Sequence, residues 1–151
     1  MILPAVAGDL PRIYDACCEQ LYAQSKHPLA PVKEVWVRNW TRLLSMNVGV
    51  MLLAEEDGSQ EVMGAAGGIF FEDMNNGTLR GDELLWYVVP KFRGRALGWT
   101  LIKLFWQEAR RRGVRVVSSS RLTHNDSNDL LRRFYQSQGF MELETVHVKE
   151  L

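Results

Sequence analysis

Apolar residues recur along this chain at two different spacings, and the change of spacing separates predicted helices from predicted strands. Spacings of three and four residues run through 10–21 and 32–44, which predicts two amphipathic helices, the first capped by Asp9. The segment 24–31 contains two prolines and predicts a loop between these helices. A short first strand is expected at 1–5.

The middle of the chain has the apolar pattern and the turn signals of an antiparallel meander. Segments 48–55, 61–72 and 83–89 are expected to be strands, and the Asp-Gly and Asn-Gly pairs between them predict tight turns. Pro90 ends the third strand, because proline has no N–H to give to the ladder.

The second half of the chain alternates between helix and strand. The longest helix is expected to begin near Leu97 and to end at Gly113, with a strand at 114–118 after it. Another helix begins near Ser127, and 140–149 is expected to give one or two final strands. Such β-α-β passages imply parallel neighbours. The chain is therefore predicted to be an α/β protein with a mixed central sheet, antiparallel in its N-terminal half, and helices on both faces.

Composition narrows the classes of protein. A length of 151 residues, 46% apolar and 24% charged, suits one domain over 1–151. The formal net charge of zero counts against binding to duplex nucleic acid, because proteins that bind duplexes usually carry a surplus of basic residues. No apolar run is long enough for a membrane span, and no signal peptide is expected. The adjacent Cys17 and Cys18 suit a reducing, cytoplasmic compartment, and the Cys and His spacing predicts no metal site.

The segment from Val88 to Gly98 carries the clearest chemistry. It runs from a strand through a glycine-bearing loop into a helix, whose unpaired N–H groups and positive dipole end suit a phosphate. Lys91, Arg93 and Arg95 add positive charge beside it. The residues therefore favour an anion site for a polyphosphate, although an ordinary loop with solvated basic side chains is the alternative.

This loop resembles the acetyl-CoA loop of the GCN5-related N-acetyltransferases, V-x-P-x-x-[QR]-x-x-G-x-[GA]. Val88, Pro90, Arg93 and Gly98 match it, and Ala96 stands where the family usually has glycine. If Ala96 takes a positive φ, or lies where a phosphate oxygen comes close, its β-carbon would weaken binding.

A second segment, 128–140, resembles the later motif of the same family, N-x-x-A-x-x-[LF]-Y-x-x-x-G-F. The matching residues are Asn128, Phe134, Tyr135, Gly139 and Phe140, and Leu131 replaces the common alanine. One predicted helix and one predicted strand separate the two motifs, as in the family. The resemblance is strong over about 80–142 and rests on element order elsewhere.

The resemblance implies where acetyl-CoA binds. The pantetheine arm would lie in a splay between the strands at 83–89 and 114–118, and one backbone N–H of Val88 or Val89 would also stabilise the oxyanion. The pyrophosphate would lie on N–H groups from Arg93 to Gly98. The implied cofactor-binding residues are Val88, Val89, Arg93, Gly94, Arg95, Ala96, Leu97, Gly98 and Asn128, of which Asn128 could equally be a helix cap.

The catalytic residues follow from the same resemblance. Tyr135 would protonate the leaving thiolate, which is feasible for a phenol of pKa near 10 and a thiol of pKa near 8.5. The alternative for Tyr135 is a packed helix residue. Glu83 is the first choice for the base that deprotonates the amine and Glu72 the second, although both could be surface carboxylates at strand ends.

The acceptor pocket is implied to lie between the first two helices and the strand ends near 70–75. That region supplies His27, Trp36, Trp40, Phe70, Phe71, Glu72 and Asp73. Trp36 and Trp40 lie four apart on one helical face, so core packing is the favoured interpretation for them. Glu72 and Asp73 could attract a polyamine, an aminoglycoside, a lysine side chain or a peptide N-terminus.

Three functions remain open from the sequence. The leading one is acetyl transfer from acetyl-CoA to a primary amine by direct attack in a ternary complex. The second is a non-catalytic acyl-CoA-binding or regulatory module of the same fold. The third is a nucleic-acid-associated protein that uses Lys91, Arg93, Arg95 and Arg110–Arg112. Homodimer formation is left open.

Overall fold

The computed structural model describes residues 1–94, 96–121, 128–144, 146, 147 and 149, and the structural statements below concern these residues. Five strands form one sheet in the order β1-β2-β3-β4-β5. They are β1 Ile2–Pro4, β2 Gly49–Glu55, β3 Val62–Glu72, β4 Leu79–Val88 and β5 Val116–Ser118. The first four pair antiparallel, whereas β4 and β5 pair parallel, which confirms the mixed sheet.

The helices fall into two groups along the chain. The first group is α1 Leu10–Ile13, a π-helical turn at Tyr14–Cys18, α2 Glu19–Ser25 and α3 Lys33–Ser45. The second is α4 Leu97–Arg111 and α5 Asn128–Ser137, and short 3-10 turns lie at Ala7–Asp9 and Pro90–Phe92. No helix within the described ranges is both long enough and apolar enough to cross a membrane.

The helices cover both faces of the sheet, as predicted. Successive side chains of a strand point to opposite faces. On β2, Leu52 therefore packs in one core with Phe105 of α4, while Leu53 packs in the other with Ile13 of α1. Every residue of β2 is buried, because helices lie on both sides of it.

A β-bulge interrupts the pairing of β3 with β4. Gly67 lies opposite Leu85 and Gly68 lies opposite Glu83, so Leu84 is an extra residue on β4. A β-carbon at Gly68 would lie 2.2 Å from the carbonyl oxygen of Asp82, so this close approach requires glycine. Bulges bend a strand and re-aim its side chains.

The bulge coincides with the point where β4 and β5 separate. Their pairing runs only from Arg80 opposite Val116 to Asp82 opposite Ser118, whereas β4 continues to Val88. The edge of β4 from Glu83 to Val88 therefore faces a gap. That gap is the splay which the family resemblance implied between these two strands.

Three sequence expectations need correction. Asp9 lies at the N-cap position of α1, but its side chain makes no capping bond to that helix, because its carboxylate accepts a hydrogen bond from the Val6 N–H at 2.9 Å. The third meander strand begins at Leu79, which places Glu83 inside a strand and not at its start. The described residues of 140–149 form no strand, although one or two were expected there. The predicted helix start at Ser127 lies outside the described residues.

Candidate active site

A cleft of about 900 Å³ occupies the gap between β4 and β5. Its lining from β4 includes Glu83, Leu84, Trp86 and Val88, and from the loop and α4 it includes Arg93, Gly94, Ala96, Leu97, Gly98 and Trp99. Ser120 and Arg121 follow β5 into the cleft, and Leu130 and Leu131 enter from α5. Both sequence motifs therefore meet at one cavity.

The N-terminus of α4 borders the cleft. Among the described residues, no side chain caps this helix, so the N–H groups of its first turn remain available to a ligand. The indole N–H of Trp86 donates to the carbonyl oxygen of Gly98 at 2.9 Å, which ties the first turn of α4 to β4. A β-carbon at Gly98 would touch the side chain of Val88 at 3.4 Å. A tight, positively polarised helix end thus lies beside the gap, as an anion site requires.

Ala96 adopts the conformation that makes its side chain unfavourable. It lies at the cap position of α4 with φ of 57° and ψ of 1°, in the left-handed region that favours glycine. Gly94 in the same loop has φ of 83°. The positive φ that the sequence analysis considered for Ala96 is therefore present. Ala96 occupies the N-cap position of α4 in this conformation despite its β-carbon.

The two described basic side chains of the loop, Lys91 and Arg93, are engaged within the protein. The Nε–H of Arg93 donates to the carbonyl oxygen of Val88 at 3.0 Å, and its guanidinium lies over the ring of Tyr87. Lys91 pairs with Glu61. The Arg93 backbone N–H donates to Pro90 at 3.2 Å, so the N–H groups left for an anion begin at Gly94. Arg95 lies outside the described residues.

The two valines at the end of β4 differ in their free backbone groups. The N–H of Val89 donates to the Met63 carbonyl at 3.0 Å, and its own carbonyl accepts from Phe92 at 2.9 Å. Along an antiparallel strand, the backbone N–H groups of successive residues point alternately toward and away from the partner strand. The N–H of Val89 points toward β3, so the N–H of Val88 points away from β3 and faces the gap. Val88 can therefore contact a ligand arm through its N–H, whereas both backbone groups of Val89 already have partners.

Glu83 and Tyr135 lie together at the end of the gap where β5 leaves β4. The phenolic O–H of Tyr135 donates to Oε2 of Glu83 at 3.1 Å. Tyr135 is only 7% exposed and packs against Trp86, Trp106 and Phe140. The predicted acid and the predicted base, 52 positions apart in sequence, are thus one hydrogen-bonded pair.

The surroundings of this pair shift both pKa values upward. Burial raises the pKa of Glu83 to about 7, and the neighbouring hydroxyls of Ser119 and Tyr135 act in the opposite direction. Burial and the Glu83 carboxylate raise the pKa of Tyr135 above its usual range. A carboxyl group with a pKa near neutrality is suited to accept a proton at physiological pH.

Two residues of this site had no signal in the sequence. Arg121 lines the cleft, and its guanidinium donates to Oδ1 of Asn128 at 2.9 Å and to Glu142 at 2.8 Å. The side chain of Asn128 is thereby held at the start of α5. The hydroxyl of Ser119 is buried beside the Glu83–Tyr135 pair without a hydrogen-bond partner among the described residues. Both residues follow β5 in a segment with no family motif.

The α2 side of the cleft consists of five residues from the end of α2 and the loop after it. They are Leu21, Tyr22, Gln24, Ser25 and His27. The Gln24 amide donates to the hydroxyl of Tyr87 at 3.3 Å, and the ring of Tyr22 packs edge-on against His27 at 5.9 Å. His27 is therefore the member of the expected acceptor pocket that reaches the cleft.

The other residues expected in the acceptor pocket lie elsewhere. Trp40 and Phe70 are buried in the two cores, and Trp36 packs against Trp40 and Tyr14. The expectation that the two tryptophans pack in the core is therefore confirmed. Phe70 was expected in the acceptor pocket, and that expectation is wrong because Phe70 is buried in the core.

The acidic pair at the end of β3 is also distant from Glu83. Glu72 pairs with Leu79, four positions along β3 from Gly68, which pairs with Glu83. That separation is roughly 13 Å along the strand. Asp73 accepts from Arg80 at 3.4 Å at this far hairpin. Neither carboxylate lines the cleft, and neither does Phe71 on the same strand.

Two of the three arginines at the end of α4 share one carboxylate. Arg111 and Arg112 each bond to Glu108 at 2.7 Å, which holds the pKa of that carboxyl at about 2. Glu108 offsets only one of the three positive charges of Arg110–Arg112, so the described residues do not cancel the positive charge at this end of α4. Nor do they bring three His, Cys, Asp or Glu side chains together as metal ligands.

Comparison with solved structures shows the same fold in several acetyltransferases. A predicted acetyltransferase from Clostridium acetobutylicum, solved with acetyl-CoA, matches with a TM-score of 0.80 and 19% identity over 99% of this chain and 95% of that chain. An acetyltransferase from Trypanosoma brucei matches with a TM-score of 0.73 and 20% identity over 100% of this chain and 99% of that chain. Glucosamine-6-phosphate N-acetyltransferase from Arabidopsis thaliana matches with a TM-score of 0.70 and 18% identity over 100% and 97%.

Sequence comparison identifies the family. No curated protein sequence gives a match. The family model described as the acetyltransferase (GNAT) family matches residues 10–140, which is most of the chain and includes both motifs, the cleft and the Glu83–Tyr135 pair. On this match and this fold, the chain belongs to the GNAT family of acetyltransferases.

Proposed function

We propose that this protein transfers an acetyl group from acetyl-CoA to a primary amine by direct attack in a ternary complex. The observation that carries the proposal is the gap between two parallel strands, with the Glu83–Tyr135 pair where it opens and the N-terminus of α4 at its other end. From Glu83 to Val88 the free edge of β4 is roughly 17 Å long. An extended arm can lie along such an edge.

The residues around the gap fit acetyl-CoA, which supplies the thioester. The free N–H groups at the start of α4, with Gly94 and Gly98 beside them, suit a pyrophosphate. The Val88 N–H faces the gap, where it can bind the arm or the negative charge that develops on the carbonyl oxygen. Arg121 lines the cleft and holds the side chain of Asn128, which does not itself line the cleft, at the start of α5.

Glu83 serves as the base in this proposal. An amine of pKa near 10 is mostly protonated at neutral pH and must lose a proton before it attacks. Burial raises the pKa of Glu83 to about 7, so a large fraction of the carboxyl is ionised at pH 7 and can accept that proton. Among the described residues lining the cleft, Glu83 is the only carboxylate.

Tyr135 serves as the acid, and its bond to Glu83 couples the two proton transfers. While Glu83 is ionised, it holds the Tyr135 proton and raises the pKa of the phenol. When Glu83 takes the amine proton, that restraint is removed and Tyr135 can donate to the leaving sulfur. The proton on Glu83 then passes to the phenolate across the 3.1 Å bond, which restores both groups.

A binding module without turnover is the second candidate. Its support is Ala96, whose left-handed conformation strains the loop, and the position of Tyr135, which directs its proton at Glu83. Such a module would bind acetyl-CoA but would transfer nothing, and Tyr135→Phe would leave its binding unchanged.

The test is acetyl transfer to a panel of primary amines, followed by release of free thiol and by mass spectrometry of the product. We expect acetylated amine and intersecting initial-rate lines when both substrates are varied. Glu83→Gln should lower kcat by about 100-fold or more, as removal of a general base does. Glu72→Gln makes the same chemical change about 13 Å away along the sheet and should leave kcat unchanged. Binding of acetyl-CoA with no acetylated amine would instead favour the binding module.

A further inference from the structure

We propose that the acceptor is an amine with a single positive charge on an apolar body, and that the α2 side of the cleft discriminates against amines with a second charge. The inference rests on the proposed acetyl transfer and adds the class of its substrate. It follows from which side chains line the cleft and which do not.

The charges in the cleft accommodate one ammonium group. Glu83 is the only carboxylate among the described lining residues, and the five residues of the α2 side include none. Arg93 and Arg121 also line the cleft and are positively charged, although Glu142 offsets the charge of Arg121. A second ammonium in this cleft would lose hydration without gaining a second carboxylate among the described lining residues, which is unfavourable.

The acidic residues that would suit a polycation lie too far away. Glu72 and Asp73 are at the far hairpin, roughly 13 Å from Glu83 along the sheet. Asp73 is already paired with Arg80. Among the described residues that line the cleft, a polyamine or an aminoglycoside, both considered from the sequence, therefore finds one carboxylate.

Apolar surface makes up much of the space next to Glu83. The bulge residue Leu84 is 50% exposed and lines the cleft directly after Glu83. Leu21 and Tyr22 lie on the α2 side, and Tyr22 is 37% exposed. Large apolar side chains that line a concave surface favour an apolar ligand, with a few polar groups fixing its orientation.

The experiment compares three amines of matched size. Pentylamine and 1,5-diaminopentane differ by one ammonium group, and 3-methoxypropylamine replaces a methylene of pentylamine with oxygen. We expect kcat/KM for pentylamine to exceed that of each other amine by at least fivefold, after correction for the two equivalent ends of the diamine. A ratio below fivefold for the diamine would overturn the inference about charge, and one below fivefold for the ether would overturn the inference about the apolar body.

A charge variant tests where the discrimination arises. Gln24→Glu places a carboxylate on the α2 side, and the new carboxylate can accept a hydrogen bond from the Tyr87 hydroxyl, to which the Gln24 amide now donates. It should reduce the preference for pentylamine over the diamine by at least threefold. Gln107→Glu adds the same charge on the exposed face of α4 and should leave the ratio unchanged. Equal ratios in both variants would show that the α2 side does not determine the preference.

A binding measurement separates this inference from the proposed function. Calorimetric titration of the CoA-bound protein with the same amines gives their dissociation constants without requiring turnover. If no amine is acetylated, acetyl transfer is wrong, yet the order of binding still decides the charge inference. Tighter binding of pentylamine supports it, and equal or tighter binding of the diamine contradicts it.

Discussion

Replacing Ala96 by glycine should stabilise the protein, because Ala96 is held with φ of 57° at the start of α4. A residue with a β-carbon in the left-handed region costs about 1–2 kcal/mol relative to the right-handed region. Glycine removes that strain but makes the unfolded chain more flexible, which costs about 0.4–1 kcal/mol. The net gain in the free energy of unfolding should be about 0.5–1 kcal/mol, or roughly 1–4 °C in the midpoint for a domain of this size.

Two reverse substitutions provide matched controls. Gly94 and Gly113 both have φ of 83°, and no other part of the described chain would lie within 4 Å of a β-carbon at either position. Alanine at each should therefore introduce backbone strain alone and lower stability by about 1 kcal/mol. Gly94 lies in the cofactor loop, whereas Gly113 ends α4 far from it.

The assay is chemical denaturation of the free protein, followed by titration with acetyl-CoA. Ala96→Gly should unfold at higher denaturant and should bind acetyl-CoA at least as tightly as the parent protein. Gly113→Ala should lose stability and keep its affinity for acetyl-CoA. Lower stability of Ala96→Gly would refute the strain at this position. Weaker binding by that variant would show that the alanine methyl group contributes a contact of its own.

The remaining predictions concern the buried pair and the bulge. The ionised form of Glu83 is disfavoured by burial, so this carboxyl lowers stability as pH rises from about 4.5 to about 7. Glu83→Gln should remove that loss, so the variant's gain in free energy of unfolding over the parent protein should be up to about 3 kcal/mol larger at pH 8 than at pH 4. The same pH dependence of unfolding in the variant and the parent protein would contradict this prediction. For the parent enzyme, kcat should fall below pH 7 as Glu83 is protonated, and a pH-independent kcat would exclude Glu83 as the base. Tyr135→Phe removes a hydrogen bond that lowers the pKa of Glu83, so it should shift the midpoint of the kcat–pH profile to higher pH and lower kcat by about 100-fold. An unshifted midpoint would show that Tyr135 does not act on the pKa of Glu83. Gly68→Ala should lower stability by about 2–3 kcal/mol because its β-carbon meets the Asp82 carbonyl, and a smaller loss in thermal unfolding would mean that the strand adjusts.

Much of the fold was predictable because apolar spacing and turn residues act locally. The meander, the long helix and the glycine at its end all follow from neighbouring residues. One or two strands were expected at 140–149, and the described residues there form none. Alternation shows which residues share a face, but pairing depends on whether another strand edge is available.

In the site too, the features formed by neighbouring residues could be predicted, whereas those formed by residues far apart in the sequence could not. The cofactor loop was visible in the sequence because one continuous segment forms it. The bond between Glu83 and Tyr135 was not visible, since it depends on a bulge at Leu84 that separates β4 from β5. Glu83 lies inside a strand and not at its start because β4 begins at Leu79, and it is partly buried there. The acceptor residues expected near 70–75 were misplaced because the hairpin carries them away from the gap.

The most direct test of the account is thermal unfolding of the protein during titration with acetyl-CoA, with adenosine as the control. At about 100 times the dissociation constant, binding should add about 2.7 kcal/mol of stability. For a domain of this size, that corresponds to a rise in the midpoint of about 5–10 °C. We expect this rise with acetyl-CoA and none with adenosine alone. An unchanged midpoint at millimolar acetyl-CoA would contradict the assignment of the cleft between β4 and β5 as the cofactor site.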